Sequence, residues 1–130
     1  MKAVAVMRKY GQISDYDNIM AASPHRLIQM LMEGFLEKTA LAKSFMASNN
    51  IPETGETIGK AIAILNGLQV SLNLEAGGKV AENLDNLYGY MSHRMVDANL
   101  RKDAKILDEV AGLMTEIKTG WDNMPDTFKY

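Results

Sequence analysis

The residue types that most often carry chemistry are sparse in this chain and poorly spaced for it. Neither of its two histidines, His25 and His93, follows a carboxylate by three residues, the spacing with which helical bundles hold paired metals; Ala22 and Tyr90 occupy those positions. Acidic side chains such as Asp108, Glu109 and Glu116 are spread along helical stretches and read as solvated faces. Gly77-Gly78 ahead of Lys79 is no glycine-rich phosphate cradle and reads as a helix stop. No serine stands in a recognisable arrangement with a histidine, and no cysteine is available as nucleophile, thiolate ligand or disulfide partner. The expectation is a non-enzyme with no metal and no cofactor, in which His25, in the first turn of a helix, sits solvated.

His93 leaves a signalling alternative open. Histidine phosphotransfer domains are also four-helix bundles with an exposed mid-helix histidine, but they place a small or basic residue and a glycine just after it, whereas Arg94-Met95-Val96-Asp97 follow here. The ten methionines say more. Methionine fills irregular gaps and recurs on surfaces that accommodate a partner, because three soft torsions and a polarizable sulfur adapt at low cost. Met30, Met32, Met91 and Met95 occupy the centres or flanks of apolar helical stretches. Tyr88 and Tyr90 flank one stripe on opposite sides, which puts at least one ring at its rim.

These residues need helices to position them, and helical periodicity dominates while alternating strand patterns are absent. Ser23 is a preferred N-cap and Pro24 suits the first helical position, so a first helix runs from about Pro24 to Ala47 and ends at Ser48-Asn49-Asn50. Its apolar side chains, including Met30 and Leu41, sweep roughly 240° of arc, leaving Gln29, Glu33 and Glu37 as a narrow wet stripe. Such a helix must be buried on two sides, by its own domain or by something that docks on it. A second helix, about Glu53 to Leu74, lines up Ile58, Ala61, Ile62, Leu65, Leu68 and Leu72. A third, about Lys79 to Leu100, does so with Val80, Leu84, Leu87, Met91 and Ala98. Asp103 caps a fourth, where Leu107, Val110, Met114, Ile117 and Trp121 share a stripe until Pro125.

Short connections force neighbouring helices to run antiparallel, giving an all-α, antiparallel up-down four-helix bundle at residues 23–124, preceded by a short N-terminal helical flap at 1–22 and followed by a tail at 125–130. Ser14-Asp15-Tyr16-Asp17 opens a short turn of helix through Met20, so the flap carries Tyr10, Ile13, Tyr16 and Ile19. With 130 residues the expectation is a single domain. A net charge of −2, from 14 basic and 16 acidic residues, argues against a nucleic-acid partner. The apolar run at Met1–Lys9 is too short for a signal peptide and nothing approaches a membrane span, so the expected location is cytoplasmic, without membrane insertion. Leu31, Phe35, Leu65, Leu84 and Leu113 are expected as core. At the margins of the packed stripes, Ile64, Leu68 and Ser71 on the second helix and Tyr88, Met91 and Met95 on the third are expected to line a groove for a partner helix. A charge at Ile64 or Met95 is then expected to cost binding more than stability. A homodimer seam is the structural alternative for the surplus apolar arc.

The ordered set Ala22-Ser23-Pro24, Leu27-Ile28, Met30-Leu31, Gly34, Leu72, Gly77-Gly78, Leu84, Leu87-Tyr88-Gly89-Tyr90-Met91, Ala98-Asn99, Glu109-Val110 and Trp121 resembles the flagellar secretion chaperones of the FliS family. It departs from the family pattern in minor ways, at Met32, Asn73 and Met95. The resemblance implies a helical bundle that grips the otherwise disordered C-terminal segment of flagellin in the cytoplasm, prevents premature polymerisation, and presents the cargo to the membrane export gate of the flagellar type III apparatus. It also implies that an N-terminal segment lies over part of the hydrophobic binding surface, and it assigns the groove above to flagellin.

Overall fold

The computed structural model describes residues 23–72 and 74–124. Among them are four helices and no strand: α1 (Pro24–Ala47), α2 (Ile51–Ser71), α3 (Leu74–Arg101) and α4 (Ala104–Asp122). The flap residues Tyr10, Ile13, Tyr16 and Ile19 and the tail at 125–130 lie outside the described residues.

Each start has a local cause. Ser23 Oγ accepts the Arg26 amide at 3.1 Å and Pro24 fills the first position of α1. Asn50 caps α2 by accepting the Glu53 amide at 3.3 Å, so α2 starts at Ile51 and Pro52 lies inside its first turn. Asp103 accepts the Lys105 amide at 2.9 Å and opens α4. Two tight turns at this end of the bundle put non-glycine residues in the left-handed region, Asn49 at φ 60 and Lys102 at φ 52.

The other end departs from the sequence reading. α2 stops at Ser71 rather than Leu74, because Leu72 is extended at φ −68, ψ 136. α3 starts at Leu74 and is broken at Gly78 (φ 54, ψ −131), beyond which the long bundle helix runs from Lys79. Glycine tolerates this positive φ because it has no Cβ to clash. α4 ends at Asp122, short of Pro125.

The helices form a ring in which α1 packs on α2 and α4, and α3 packs on α2 and α4. Residues near the start of one helix meet residues near the end of the next, as Gln69 meets Asp85 and Lys43 meets Asp108, so neighbours are antiparallel. The wide apolar arc of α1 therefore has a tertiary reason: Leu27, Leu31, Met32, Phe35 and Ala42 are fully enclosed between two flanking helices. Leu65 is buried with them, while Leu84 and Leu113 are only half-buried against the core. Val80, expected in the third-helix stripe, is exposed at the first turn after the Gly78 break. Ile106 joins the core from just outside the fourth-helix stripe.

Candidate functional site

The six side chains expected to line a groove do not sit at the rim. Ile64, Leu68, Tyr88, Met91 and Met95 are fully buried, and only Ser71 is half-buried, its hydroxyl donating to Gly67 O at 2.9 Å. A charge at Ile64 or Met95 would enter the interior of the bundle, so the expectation that it spares stability is corrected. The interior these residues form with Leu65 and Phe35 is a continuous apolar core rich in flexible thioethers. The two tyrosines separate as the helical angle requires: Tyr88 points inward, while Tyr90 lies at the surface and donates to Glu109 across the α3–α4 seam.

The seams between helices are tied unequally. Along α1–α4, ties run the full length. His25, far from solvated, is 6% exposed: its Nε2 lies 2.7 Å from Trp121 O, Trp121 Nε1 donates back to His25 O at 3.0 Å, and the rings stack at 4.7 Å. Next come Gln29 donating to Asp122 at 2.7 Å, Lys118 beside Glu33 at 3.7 Å, and Lys43 on Asp108 at 2.8 Å. The supposed wet stripe of Gln29 and Glu33 is thus a docking edge for α4. Along α3–α4, Glu109 accepts from both Tyr90 and Arg94, and Arg94 also pairs with Asp97 at 3.2 Å.

These contacts set the electrostatics. Hydrogen bonds from Tyr90 and then Arg94 hold the Glu109 carboxyl below its ordinary value, and the same contact with Glu109 pushes the Tyr90 phenol and the Arg94 guanidinium up. Lys118 holds Asp122 low, helped by Gln29. All four groups are at the surface, so they tune stability modestly. Among the described residues no cluster of three or more His, Cys, Asp or Glu side chains could hold a metal, and no helix is long and apolar enough to cross a membrane. His93 is exposed on α3. What the arrangement offers is an apolar, methionine-rich interior in a helical frame.

Comparison with known proteins identifies that frame. The model of the family described as flagellar protein FliS matches residues 6–127. The chain belongs to the FliS family. It is 48% identical over 124 residues to flagellar secretion chaperone FliSB of Pseudomonas aeruginosa, covering 95% of this chain and 98% of the relative. Flagellar secretion chaperone FliS of Salmonella typhimurium is 40% identical over 93% of this chain and 90% of its own length, and its Vibrio cholerae counterpart 39% over 94% and 90%. These FliS relatives are chaperones by name, and a four-helix bundle with an apolar interior is the architecture this chain brings to that role.

Sequence reasoning missed the His25–Trp121 clasp and the exposed apolar side chains Ile51, Val96 and Leu100 near the turns. The clasp had one signal: in an antiparallel bundle the first turn of α1 lies beside the last turn of α4, which brings a histidine and the only tryptophan to the same end.

Proposed function

We propose that this chain is a cytoplasmic export chaperone, not an enzyme, that binds the disordered C-terminal segment of flagellin, prevents its premature polymerisation and presents it to the gate protein of the flagellar type III export apparatus. The family match over residues 6–127 carries the reading. The apolar, methionine-rich interior supports it physically: a disordered amphipathic tail gains affinity by burying its apolar face, less about 2–5 kcal/mol for ordering, and flexible side chains accept it without close shape matching. Ile64, Leu68, Ser71, Tyr88, Met91 and Met95 are the proposed contacts, reached when the bundle loosens. Tyr10, Ile13, Tyr16 and Ile19 are the proposed mask over exposed apolar surface when cargo is absent, and self-association into a weak homodimer competes for that surface.

The test is calorimetric titration of the full chain with a peptide spanning the flagellin C-terminal segment, with circular dichroism of the mixture. Saturable binding with a gain in helix is expected. Absence of binding to that peptide and to whole flagellin overturns the reading. Deleting residues 1–17 should raise binding of a hydrophobic dye; an unchanged signal from a helical protein removes the mask.

A further inference from the structure

The end of the bundle that holds the α1–α2 and α3–α4 turns leaves apolar surface in water. Leu100, 76% exposed, and Ile51, 61% exposed, are the two most exposed large apolar side chains among the described residues, and both stand at helix termini on this end. A Cβ built on Gly55 would lie 3.8 Å from the Asn99 amide, so the start of α2 lies against the end of α3. Met46, Asn49, Ile51, Thr54 and Lys102 line one cavity of about 140 Å³ between the two turns. Residues two apart on a helix point about 200° apart, so Glu53 lies on the far side of α2 from Ile51. Beyond Lys102 and Leu100 come Arg101 and, in the first turn of α4, Lys105. A strip thus crosses the end of the bundle, acidic at the α2 edge, apolar in the middle and basic at the α4 edge. The carboxylates nearest the basic edge are already engaged: Asp103 caps α4, Asp108 pairs with Lys43 and Asp97 with Arg94. None of Glu53, Arg101, Lys102 and Lys105 is in an ion pair among the described residues. Helix dipoles account for the sign of Glu53 at the start of α2 and of Arg101 at the end of α3, but not for Ile51 and Leu100 between them.

Such a strip is complementary to itself after a half-turn. We propose that a second copy of this chain docks end-on over this face, with Ile51 and Leu100 of both copies packed at a two-fold axis and Glu53 of each copy facing Arg101 and Lys105 of the other. The proposal rests on the self-association in the reading above and gives it a surface. Helices in a bundle lie about 10 Å apart, so the end face of four helices spans roughly 20 by 20 Å, and two such faces bury about 800 Å² in all, below the ~1,200 Å² of a stable interface. The dimer is therefore weak, with a dissociation constant of about 10–500 μM, and it weakens further as salt screens the two charged edges.

Sedimentation equilibrium of the full chain from about 10 μM to about 1 mM tests this. The mean mass is expected to climb from 14.4 kDa toward twice that value as concentration rises, and to climb less at about 0.5 M salt. Leu100→Ser, at an exposed position that does not enter the core, is expected to weaken association about ten-fold. Glu53→Lys alone, and Arg101→Glu with Lys105→Glu, each bring like edges together and are expected to weaken it about ten-fold, whereas mixing the two proteins restores both charged contacts and the parent's dimer. Circular dichroism melts show that each variant is folded. A mass that stays at the single-chain value throughout, a mass that climbs past two copies, a dimer unmoved by Leu100→Ser, or charge variants whose mixture associates no better than each alone overturns the proposal. None of these outcomes bears on flagellin binding, which the peptide titration above decides.

Discussion

Replacing His25 by alanine separates the tertiary structure from the sequence most sharply. A solvated first-turn histidine would change stability by no more than about 0.5 kcal/mol. The buried ring found here makes a 2.7 Å contact to Trp121 O and stacks on the indole at 4.7 Å with 19° between planes. Trp121 O keeps a second donor, the Met124 amide at 3.1 Å, so the carbonyl is not orphaned when the imidazole leaves. The loss is then a net hydrogen bond of about 1 kcal/mol and a ring stack of about 0.5–1.5 kcal/mol. His25→Ala is accordingly expected to cost about 2 kcal/mol, roughly 8 °C in melting temperature for a domain of this size. Trp121→Phe removes the indole donor and part of the buried, stacked ring, and is expected to cost about 1–3 kcal/mol. Both hydrogen bonds end on backbone carbonyls that survive the partner's substitution, so the shared ring stack is the one term that couples the two effects, by up to about 1.5 kcal/mol. Guanidinium unfolding of the four proteins of the cycle, followed by circular dichroism, measures all three terms. A cost below about 0.5 kcal/mol for His25→Ala, or a coupling above about 1.5 kcal/mol, refutes the reasoning.

Leu65→Ala, at a fully enclosed position, should lose about 2–5 kcal/mol in chemical unfolding, and a loss under about 1 kcal/mol would contradict its place in the core. Met95→Lys should lower the melting temperature severely while Met95→Leu costs less than about 1.5 kcal/mol, a contrast that thermal melts of the pair decide; a Met95→Lys protein as stable as its parent would show that the side chain reaches water. Gly78→Ala meets no neighbouring atom, so its expected loss of about 1–2 kcal/mol comes from the positive φ alone, and an unchanged unfolding midpoint would remove that strain. The Asp122 carboxyl is held low in the folded chain, so its contribution is present at neutral pH and is lost as pH falls through that lowered value, below about 4. Between neutral pH and about pH 3 the parent should therefore lose up to about 0.5 kcal/mol more than Asp122→Asn, measured by unfolding at each pH; equal losses would mean the Lys118 and Gln29 contacts contribute nothing.

The sequence by itself determined the elements and the family. Caps at Ser23, Asn50 and Asp103 and the helical spacing of apolar side chains act within one or two turns, so the all-α bundle and the run of α1 from Pro24 to Ala47 follow from neighbours along the chain. The family motif is likewise ordered along the sequence. Burial is different in kind. Whether Tyr88 or Tyr90 faces inward, whether Val80 packs, and whether Ile64 and Met95 lie at a rim or in the core depend on how each helix is rotated against two neighbours at once, which a stripe read on one helix leaves open by a residue or more. The clasp shows the same limit in its strongest form. His25 and Trp121 are 96 residues apart, and only the closure of the ring, with α4 laid antiparallel along α1, converts a first-turn histidine into a buried tie. The difference in how the α1–α4 and α3–α4 seams are fastened belongs to that level too, because it is a property of which rows face each other and not of any row alone.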